Sequence, residues 1–392
     1  MLDVVNRGIA VGVPNFNRTS RLTVDNNTSI DEQIDVGDGF LMDMGYVIVS
    51  CGWQLDAPPY PALMGMRGTE ALDSSGNRLK GKVYAQFQSP VDTKNFLLSD
   101  KDHQPCKAAY INEKQAVVQI RNMTDGPAET IPRESWRFGR IDADGIYHAD
   151  HSYICSEEGF KKGNLYQVTY TTVGAPVIGL SFAAIRDCAS WIKHGSEMVS
   201  SPVGAIEYVY AYGMSQTGRF LRTFIYRDFN RDEQGREVLD GIIASVAGGN
   251  MGEFNQRFGQ NSKDRNNTMH QSFPFASVTQ IDSETEEVDS LHSRIEERGS
   301  SIKVMYTNTS AEYHRGDASL IHTDPNGTRD IEQGPNTRVY HFAGAEHSFG
   351  VWPPSDIGVS MSGSERSQNL RGVIDYSPLL RACLVNMDDW VC

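Results

Sequence analysis

The segment from residue 208 to residue 220 constrains the fold of this chain more than any other part. It reads Tyr-Val-Tyr-Ala-Tyr-Gly-Met-Ser-Gln-Thr-Gly-Arg-Phe. Its first, apolar and aromatic part predicts a buried strand, and residues 216–229 have the apolar spacing of a helix. Ser215 lies between the two. A strand that runs directly into a helix requires a tight turn, so the sequence predicts an α/β fold with Ser215 at the apex of that turn.

The same alternation of short apolar strands and helices continues along most of the chain. Strands separated by helices imply right-handed crossovers, so we expect a mainly parallel sheet flanked by helices. The predicted strands are 2–13, 46–51, 207–212, 241–246, 302–306 and 338–342, and the predicted helices are 39–44, 180–193, 216–229, 286–298 and 379–390.

Residues 66–172 have a different character. They alternate β-favouring segments such as 82–88, 115–120 and 165–172 with turn-rich stretches, and no amphipathic helix interrupts them. We interpret this stretch as a β-rich insertion of about domain size. Residues 1–65 and 173–392 then form one discontinuous α/β core.

The composition limits the partners that the chain can have. Its 392 residues carry a formal net charge of −14, and an acidic surface repels phosphate backbones, so we expect no nucleic-acid partner. No apolar run reaches the roughly 18 residues of a transmembrane segment. No basic stretch followed by an apolar one opens the chain, so no secretory signal is expected in it, and the compartment stays open. Six scattered cysteines without a Cys-x-x-Cys pair argue against a zinc ribbon.

The residues around Ser215 resemble the nucleophile elbow of α/β-hydrolases, which has the form Gly-x-Ser-x-Gly. Gly213 fills the first small position, Thr217 stands at the second, and Gly218 follows one residue later. Small residues at these positions keep side chains from colliding with the strand and the helix. On this pentapeptide alone, a serine that only caps a helix is an equal alternative, so the decision depends on the partners of Ser215.

A serine hydroxyl becomes a strong nucleophile beside a histidine base that a carboxylate orients. In a strand-turn-helix arrangement these partners come later in the chain, the acid first, in loops after further strands. Glu312 is the first acid after the strand at 302–306, and His347 follows the strand at 338–342. The sequence therefore predicts a triad of Ser215, Glu312 and His347.

Other acids and histidines are weaker candidates. Asp317 and Asp324 lie further along the acid loop, where exposure or capping is expected. Glu346 adjoins the histidine in sequence and cannot easily reach around its ring. His148 and His151 have a spacing compatible with metal ligands, but they lie in a turn of the insertion, where a structural role is favoured. We therefore expect no metal site.

The elbow also predicts where an oxyanion would be stabilised and where a substrate would lie. One backbone N–H should come from Gln216, and the second from the loop around Phe16. Trp53 and Gln54 follow the strand at 46–51, so we expect their side chains on the rim of the substrate pocket.

Six stretches of the chain are similar to the alpha/beta hydrolase domain branch of the α/β-hydrolase superfamily. The resemblance implies the α/β-hydrolase fold with its triad on Ser215, Glu312 and His347. Relatives commonly carry Trp where this chain has His314, which implies a pocket of different polarity. Relatives also tend to have a longer N-terminal portion, often behind an export signal. This chain is accordingly expected to begin near their third strand, and an exposed sheet edge would allow a homo-oligomer contact. The six stretches are GFLMDMGYVIVSCGWQLD, VIGLSFAAIRD, GMSQTGRFLRTFIYRDFN, AGGNMGEFNQRF, NTSAEYHRGDASLIHTD and AGAEHSFG.

These observations predict a serine hydrolase that cleaves a carboxylic ester through an acyl-enzyme and needs no cofactor. The substrate would be a small-molecule or carbohydrate-linked ester. A glucuronoyl-esterase-like carbohydrate esterase is an alternative, although Gln216 stands where an arginine would be expected. An inactive hydrolase fold that serves as a binding module is another alternative, and the intact Ser, Glu and His candidates argue against it.

Overall fold

The computed structural model describes residues 1–4, 39–57, 65–99, 103–123, 126–195, 206–254, 256–260, 273–315, 317–360 and 363–392. Within these ranges it has 19 strands and six α-helices, which we label in chain order. The strands are β1 Leu2–Val4, β2 Val49–Cys51, β3 Lys80–Gln88, β4 Thr93–Leu97, β5 Val117–Arg121, β6 Glu129–Ile131, β7 Arg137–Phe138, β8 Arg140–Ile141, β9 Tyr147–His148, β10 Tyr153–Phe160, β11 Leu165–Val173, β12 Tyr210–Met214, β13 Gly241–Ser245, β14 Gln280–Ile281, β15 Val288–Asp289, β16 Lys303–Thr309, β17 Thr337–Phe342, β18 Ile357–Ser360 and β19 Gly363–Arg366. The helices are α1 Phe40–Asp43, α2 Leu180–His194, α3 Gln216–Tyr226, α4 Ser293–Glu297, α5 Ser310–Arg315 and α6 Ser377–Val391.

Six strands form the largest sheet in the described ranges, in the order β17-β16-β13-β12-β1-β2. All neighbours pair in parallel, which confirms the mainly parallel sheet predicted from the alternation of strands and helices. β13 is buried along its whole length, and β12 along all but its last residue, which accounts for their continuously apolar sequences. Because the carboxyl ends of parallel strands lie at one edge, the loops after β12, β16 and β17 meet there.

Two apolar cores cover the two faces of this sheet. Successive side chains of a strand point to opposite faces. Ala211, Ile242 and Val304 accordingly belong to a core that includes α2 and α3, whereas Tyr210, Ile243 and Met305 belong to a core with α6. The parallel sheet is therefore enclosed between helices. None of the helices in the described part of the chain is long and apolar enough to cross a membrane.

Between residues 66 and 172 the structure is antiparallel. One sheet has the order β3-β11-β5-β6 and a second has the order β4-β10-β7. They share a separate aromatic core, which includes Trp136, Phe138 and Tyr170. The side chain of Gln260, in the loop after β13, donates to the Leu98 carbonyl at 2.9 Å, so this part contacts the loops of the parallel sheet. The domain boundaries near 65 and 173 stay a prediction.

The predicted helix at 286–298 is wrong over most of its length. Residues 288–289 form strand β15, and only α4, over five residues, is helical. Leu291 is fully buried, and its backbone N–H donates to the Ala276 carbonyl at 2.9 Å. This long-range bond and the burial of Leu291 override the local helical spacing. The predicted strand at 2–13 is described only over β1, because residues 5–38 lie outside the described ranges.

The fully buried His292 makes the folded chain sensitive to acid. Burial, and then the charge of Arg222, lower the pKa of His292 from 6.5 to about 3. Between these values the unfolded chain binds a proton that the folded chain does not. The free energy of unfolding should therefore fall by up to about 1.4 kcal/mol per pH unit as the pH decreases through this window.

Denaturant titrations over this pH window measure the slope in wild type and in His292→Phe. The variant lacks the titrating ring, so its free energy of unfolding should depend less steeply on pH. Equal slopes for the two proteins would show that His292 does not cause the acid sensitivity.

Candidate active site

Ser215 lies on a strained turn between β12 and α3. Its φ of 58° and ψ of −118° fall where residues other than glycine are seldom found. The Ser215 N–H donates to the Ser245 carbonyl at 2.8 Å, and its own carbonyl accepts the Arg219 N–H at 3.1 Å. The first bond attaches the turn to the end of β13 and the second begins the helix. Together they hold the serine in its unfavourable backbone conformation.

Two glycines allow the turn to be this tight. A Cβ at Gly213 would lie 2.8 Å from the Thr217 carbonyl oxygen and 2.9 Å from Leu221 Cδ1. A Cβ at Gly218 would lie 2.8 Å from Ala247 Cβ. The second steric demand of the elbow therefore falls on Gly218 and not on Thr217, which explains why a threonine is tolerated two residues after the serine.

We expect Gly218→Ala to destabilise the protein by about 1–3 kcal/mol, the usual cost of overpacking. Alanine favours a helix over glycine by about 1 kcal/mol, so a purely helical effect would have the opposite sign. Denaturant unfolding measures the change. The matched control is Gly334→Ala, because a Cβ there has its nearest neighbour at 3.5 Å. Equal stability of the two variants would show that the contact with Ala247 relaxes freely.

Ser215, His347 and Glu312 form one chain of contacts. His347 Nε2 lies 2.9 Å from Ser215 Oγ, and His347 Nδ1 lies 2.5 Å from Glu312 Oε1. Glu312 lies on α5, directly after β16, and His347 lies in the loop after β17. The sheet thus brings together three residues that are far apart in the sequence. The His347 side chain is 27% exposed and that of Glu312 is 1% exposed, so the histidine can meet a substrate while the acid stays buried.

Two further residues orient this chain of contacts, and the sequence prediction missed them. Glu312 Oε2 accepts the Thr309 N–H at 2.8 Å and the Thr309 hydroxyl at 2.7 Å. The Thr309 hydroxyl also accepts the Ala311 N–H at 3.3 Å. The arrangement is a variant of the capping box at the start of α5, and its signal was readable in the sequence as Thr-x-x-Glu. The Tyr376 hydroxyl donates to the His347 carbonyl at 2.9 Å. Tyr376 comes from the residues before α6, and no local pattern points to it.

The environment of Glu312 keeps its carboxylate charged. Burial raises the pKa of Glu312, but the bond with His347 and the Thr309 donors lower it, and the net pKa lies below its usual value. Donors that bind the charged form favour ionisation. Glu312 therefore remains an anion at neutral pH and can stabilise a positive charge on the imidazole.

The other acids considered as partners of the histidine have contacts of their own. Asp317 accepts the backbone N–H and the side-chain amide of Asn250, at 2.9 and 2.7 Å. Asp324 accepts backbone N–H groups within its own turn. Glu346 accepts the Gly372 N–H and pairs with Arg371. These contacts give each acid a structural role.

The histidines of the insertion also have partners that do not converge on one point. His148 Nε2 lies 2.7 Å from Asp142, and His151 Nδ1 lies 2.5 Å from the Ala108 carbonyl oxygen. Within the described ranges no three acidic, histidine or cysteine side chains are grouped to hold a metal ion. All six cysteines are free thiols.

The residues predicted to form the oxyanion site and the substrate pocket differ in their exposure to solvent. Gln216 is the first residue of α3, so its backbone N–H lies at the N-terminal end of that helix. Phe16 lies outside the described residues. His314 is exposed on α5. Trp53 and Gln54 are both fully buried, which corrects their predicted place on the rim.

Trp53 is buried because aromatic packing holds it beneath α3. Its ring lies 4.5 Å from that of Phe220 and 4.9 Å from that of Phe254, between centroids. Gln54 is buried because its side chain donates to Gln216 at 3.0 Å. The strand that precedes them is β2, which covers only the second half of the predicted range 46–51. The direction of these side chains depends on a helix more than 160 residues away.

A parallel sheet that presents a serine on a strand-to-helix turn, beside a histidine and a buried carboxylate, is the arrangement of α/β-type hydrolases. A family model described as alpha/beta hydrolase domain matches residues 157–392. The chain belongs to the alpha/beta hydrolase domain family, and its class is that of a hydrolase. The matched range includes Ser215, Glu312 and His347. Comparisons with curated proteins and with solved structures find no significant match.

Proposed function

We propose that this protein is a serine esterase that hydrolyses carboxylic esters through an acyl-enzyme on Ser215. The observation that supports this most is the continuous contact from Ser215 Oγ through His347 to Glu312, with distances of 2.9 and 2.5 Å. The 2.9 Å distance between Ser215 Oγ and His347 Nε2 is within the range needed for proton transfer between a nucleophile and its base. The strained turn at Ser215 supports the same role, because backbone strain concentrates at functional sites.

The reaction has two halves. In the first, Ser215 Oγ attacks the ester carbonyl carbon while its proton moves to His347 Nε2. The tetrahedral intermediate then collapses, the bond to the alcohol breaks, and the leaving oxygen takes that proton. In the second, water attacks the acyl group as His347 accepts its proton, and Ser215 leaves with that proton as the acid is released. Glu312 holds the Nδ1–H tautomer and balances the charge of the imidazolium.

The developing oxyanion would bind to the Gln216 backbone N–H at the start of α3. A helix N-terminus favours negative charge, and a donor that is already in place stabilises the oxyanion without reorganisation. The loop around Phe16 is proposed to supply the second donor. We further propose a small-molecule or carbohydrate-linked ester as substrate, with no cofactor.

A fluorophosphonate probe tests the proposal directly. We expect it to inactivate hydrolysis of short p-nitrophenyl esters, and mass spectrometry of the labelled protein should place the adduct on the peptide containing Ser215. The same assay with acetyl, butyryl and octanoyl esters and with a methyl glucuronate ester ranks the substrate classes. An adduct on another residue would contradict the proposal, and so would the absence of both adduct and hydrolysis across the panel.

A further inference from the structure

A buried amide pair connects the first residue of α3 to the segment after β2. Gln54 Nε2 donates to Gln216 Oε1 at 3.0 Å, across 162 residues of sequence. Gln54 is 0% exposed and Gln216 is 2% exposed. Burying polar amides is costly unless they are hydrogen-bonded, so this bond ties the position of the Gln216 side chain to that of Gln54.

The segment that carries Gln54 contacts α3 at two successive turns. Trp53 packs on Phe220, which lies four residues after Gln216 and therefore on the same face of the helix. The Gln54 carbonyl accepts the Met66 N–H at 2.9 Å. The segment is thus anchored from both sides, and it fixes the start of α3 through one apolar contact and one hydrogen bond.

Gln216 is also the residue whose backbone N–H directly follows the nucleophile. Ser215 has a φ of 58°, and a residue in such a conformation stays there only when its surroundings hold it. Rotation of the peptide between Ser215 and Gln216 would relieve the strain and turn the N–H away from the reacting carbonyl. Gln216 is the residue that follows this peptide in the chain. The bond from Gln54 to its side chain restrains the position of Gln216 and therefore opposes the rotation.

We infer that Gln54 is a positioning residue that, through the Gln216 side chain, holds the Gln216 backbone N–H in place to bind the oxyanion. This inference rests on the proposed esterase function. It assigns Gln54 a part in turnover, although its side chain is buried and does not contact the substrate. A purely structural role would lower stability and leave the kinetics unchanged, so kinetics distinguish the two.

The experiment measures kcat, KM and the inhibition constant of a trifluoromethyl ketone in Gln54→Leu. This inhibitor forms a hemiketal oxyanion on the serine and therefore reports on the oxyanion site. A misplacement of about 1 Å can reduce a rate by up to about 100-fold. We expect a 10- to 100-fold loss in kcat, a matching rise in the inhibition constant, and a change in KM below about threefold.

Two further variants make the result decisive. Gln54→Leu/Gln216→Leu removes both amides of the buried pair together, so it keeps the fold intact even if the single variant unfolds. Its loss in kcat should equal that of Gln54→Leu, because both remove the same bond. Asn230→Ala is the matched control. Asn230 is 1% exposed and bonds to the Leu239 backbone beyond the other end of α3, so its loss should lower stability and leave kcat unchanged.

Wild-type kcat and inhibitor affinity in the double variant would overturn the inference, as would a kcat loss in Asn230→Ala equal to that in Gln54→Leu. The fluorophosphonate adduct separates this result from the esterase proposal. If wild type is labelled on Ser215 and the double variant has wild-type kinetics, only the role of Gln54 is wrong. If wild type is not labelled on Ser215, the esterase proposal itself fails.

Discussion

Replacing Ser215 by alanine is expected to lower kcat for ester hydrolysis by roughly four to six orders of magnitude. In the proposed mechanism only this hydroxyl forms the bond to the acyl group, and water in its place would lack the alignment that the 2.9 Å contact with His347 provides. The turn should survive, because its backbone bonds to Ser245 and Arg219 do not involve the side chain. The expected effect is therefore a loss of kcat at unchanged stability.

The matched control is Ser348→Ala, which removes the exposed serine next to His347 in the sequence. Its kcat should stay within about threefold of wild type, and its fluorophosphonate adduct should remain on Ser215. Ester hydrolysis and denaturant unfolding of both variants measure the outcome. If Ser215→Ala retains wild-type kcat while Ser348→Ala loses it, the nucleophile has been assigned wrongly.

The strands and helices that the sequence predicts most accurately are those with a local pattern of apolar residues. The strand at β13 and the helices α2 and α6 follow from apolar runs and helical spacing, and the structure differs there by only a few residues. The order of Ser215, Glu312 and His347 follows from the pattern of α/β-hydrolases, and their meeting follows from strand direction in a parallel sheet. Because the carboxyl ends of its strands share one edge, residues just after those strands meet without any local contact between them.

The errors of sequence reasoning lie where long-range packing overrides local pattern. The helix expected at 286–298 does not form over most of that range, because Leu291 is buried there instead. Trp53 and Gln54 are not on the rim, because they pack under α3. Thr309 differs from these cases. Its bond to Glu312 belongs to a variant of the capping box, a signal of four residues that the sequence carries openly.

The bonds between Thr309 and Glu312 have a consequence for the proposed catalysis, because they decide which atom of residue 312 faces the histidine. Glu312 Oε2 accepts two donors from Thr309, and Oε1 faces His347 Nδ1. In Glu312→Gln the amide oxygen should keep the two Thr309 donors, since an amide nitrogen there would face two N–H or O–H groups. The amide NH₂ must then point at His347 and donate to Nδ1.

Glu312→Gln is therefore expected to hold the imidazole in the wrong tautomer and to lower kcat by roughly 10³- to 10⁴-fold. With Nδ1 accepting this hydrogen bond, the single proton of the neutral ring lies on Nε2, which then cannot accept the Ser215 proton. The substitution keeps the shape of the side chain, so KM and thermal stability should change little. Steady-state ester hydrolysis measures the loss, and the rate of fluorophosphonate labelling should fall in parallel, because labelling needs the same deprotonation of Ser215.

The control for Glu312→Gln is Glu346→Gln, at the acid adjacent to His347 in the sequence. Glu346 accepts the Gly372 N–H and pairs with Arg371, so its loss should leave kcat within about threefold of wild type. Equal losses in the two variants would mean that negative charge near the loop, and not the orientation of His347, supports catalysis. A large loss of kcat confined to Glu312→Gln, with folding unchanged, would instead support two roles for Glu312. It would cap the start of α5, and it would select the tautomer of His347.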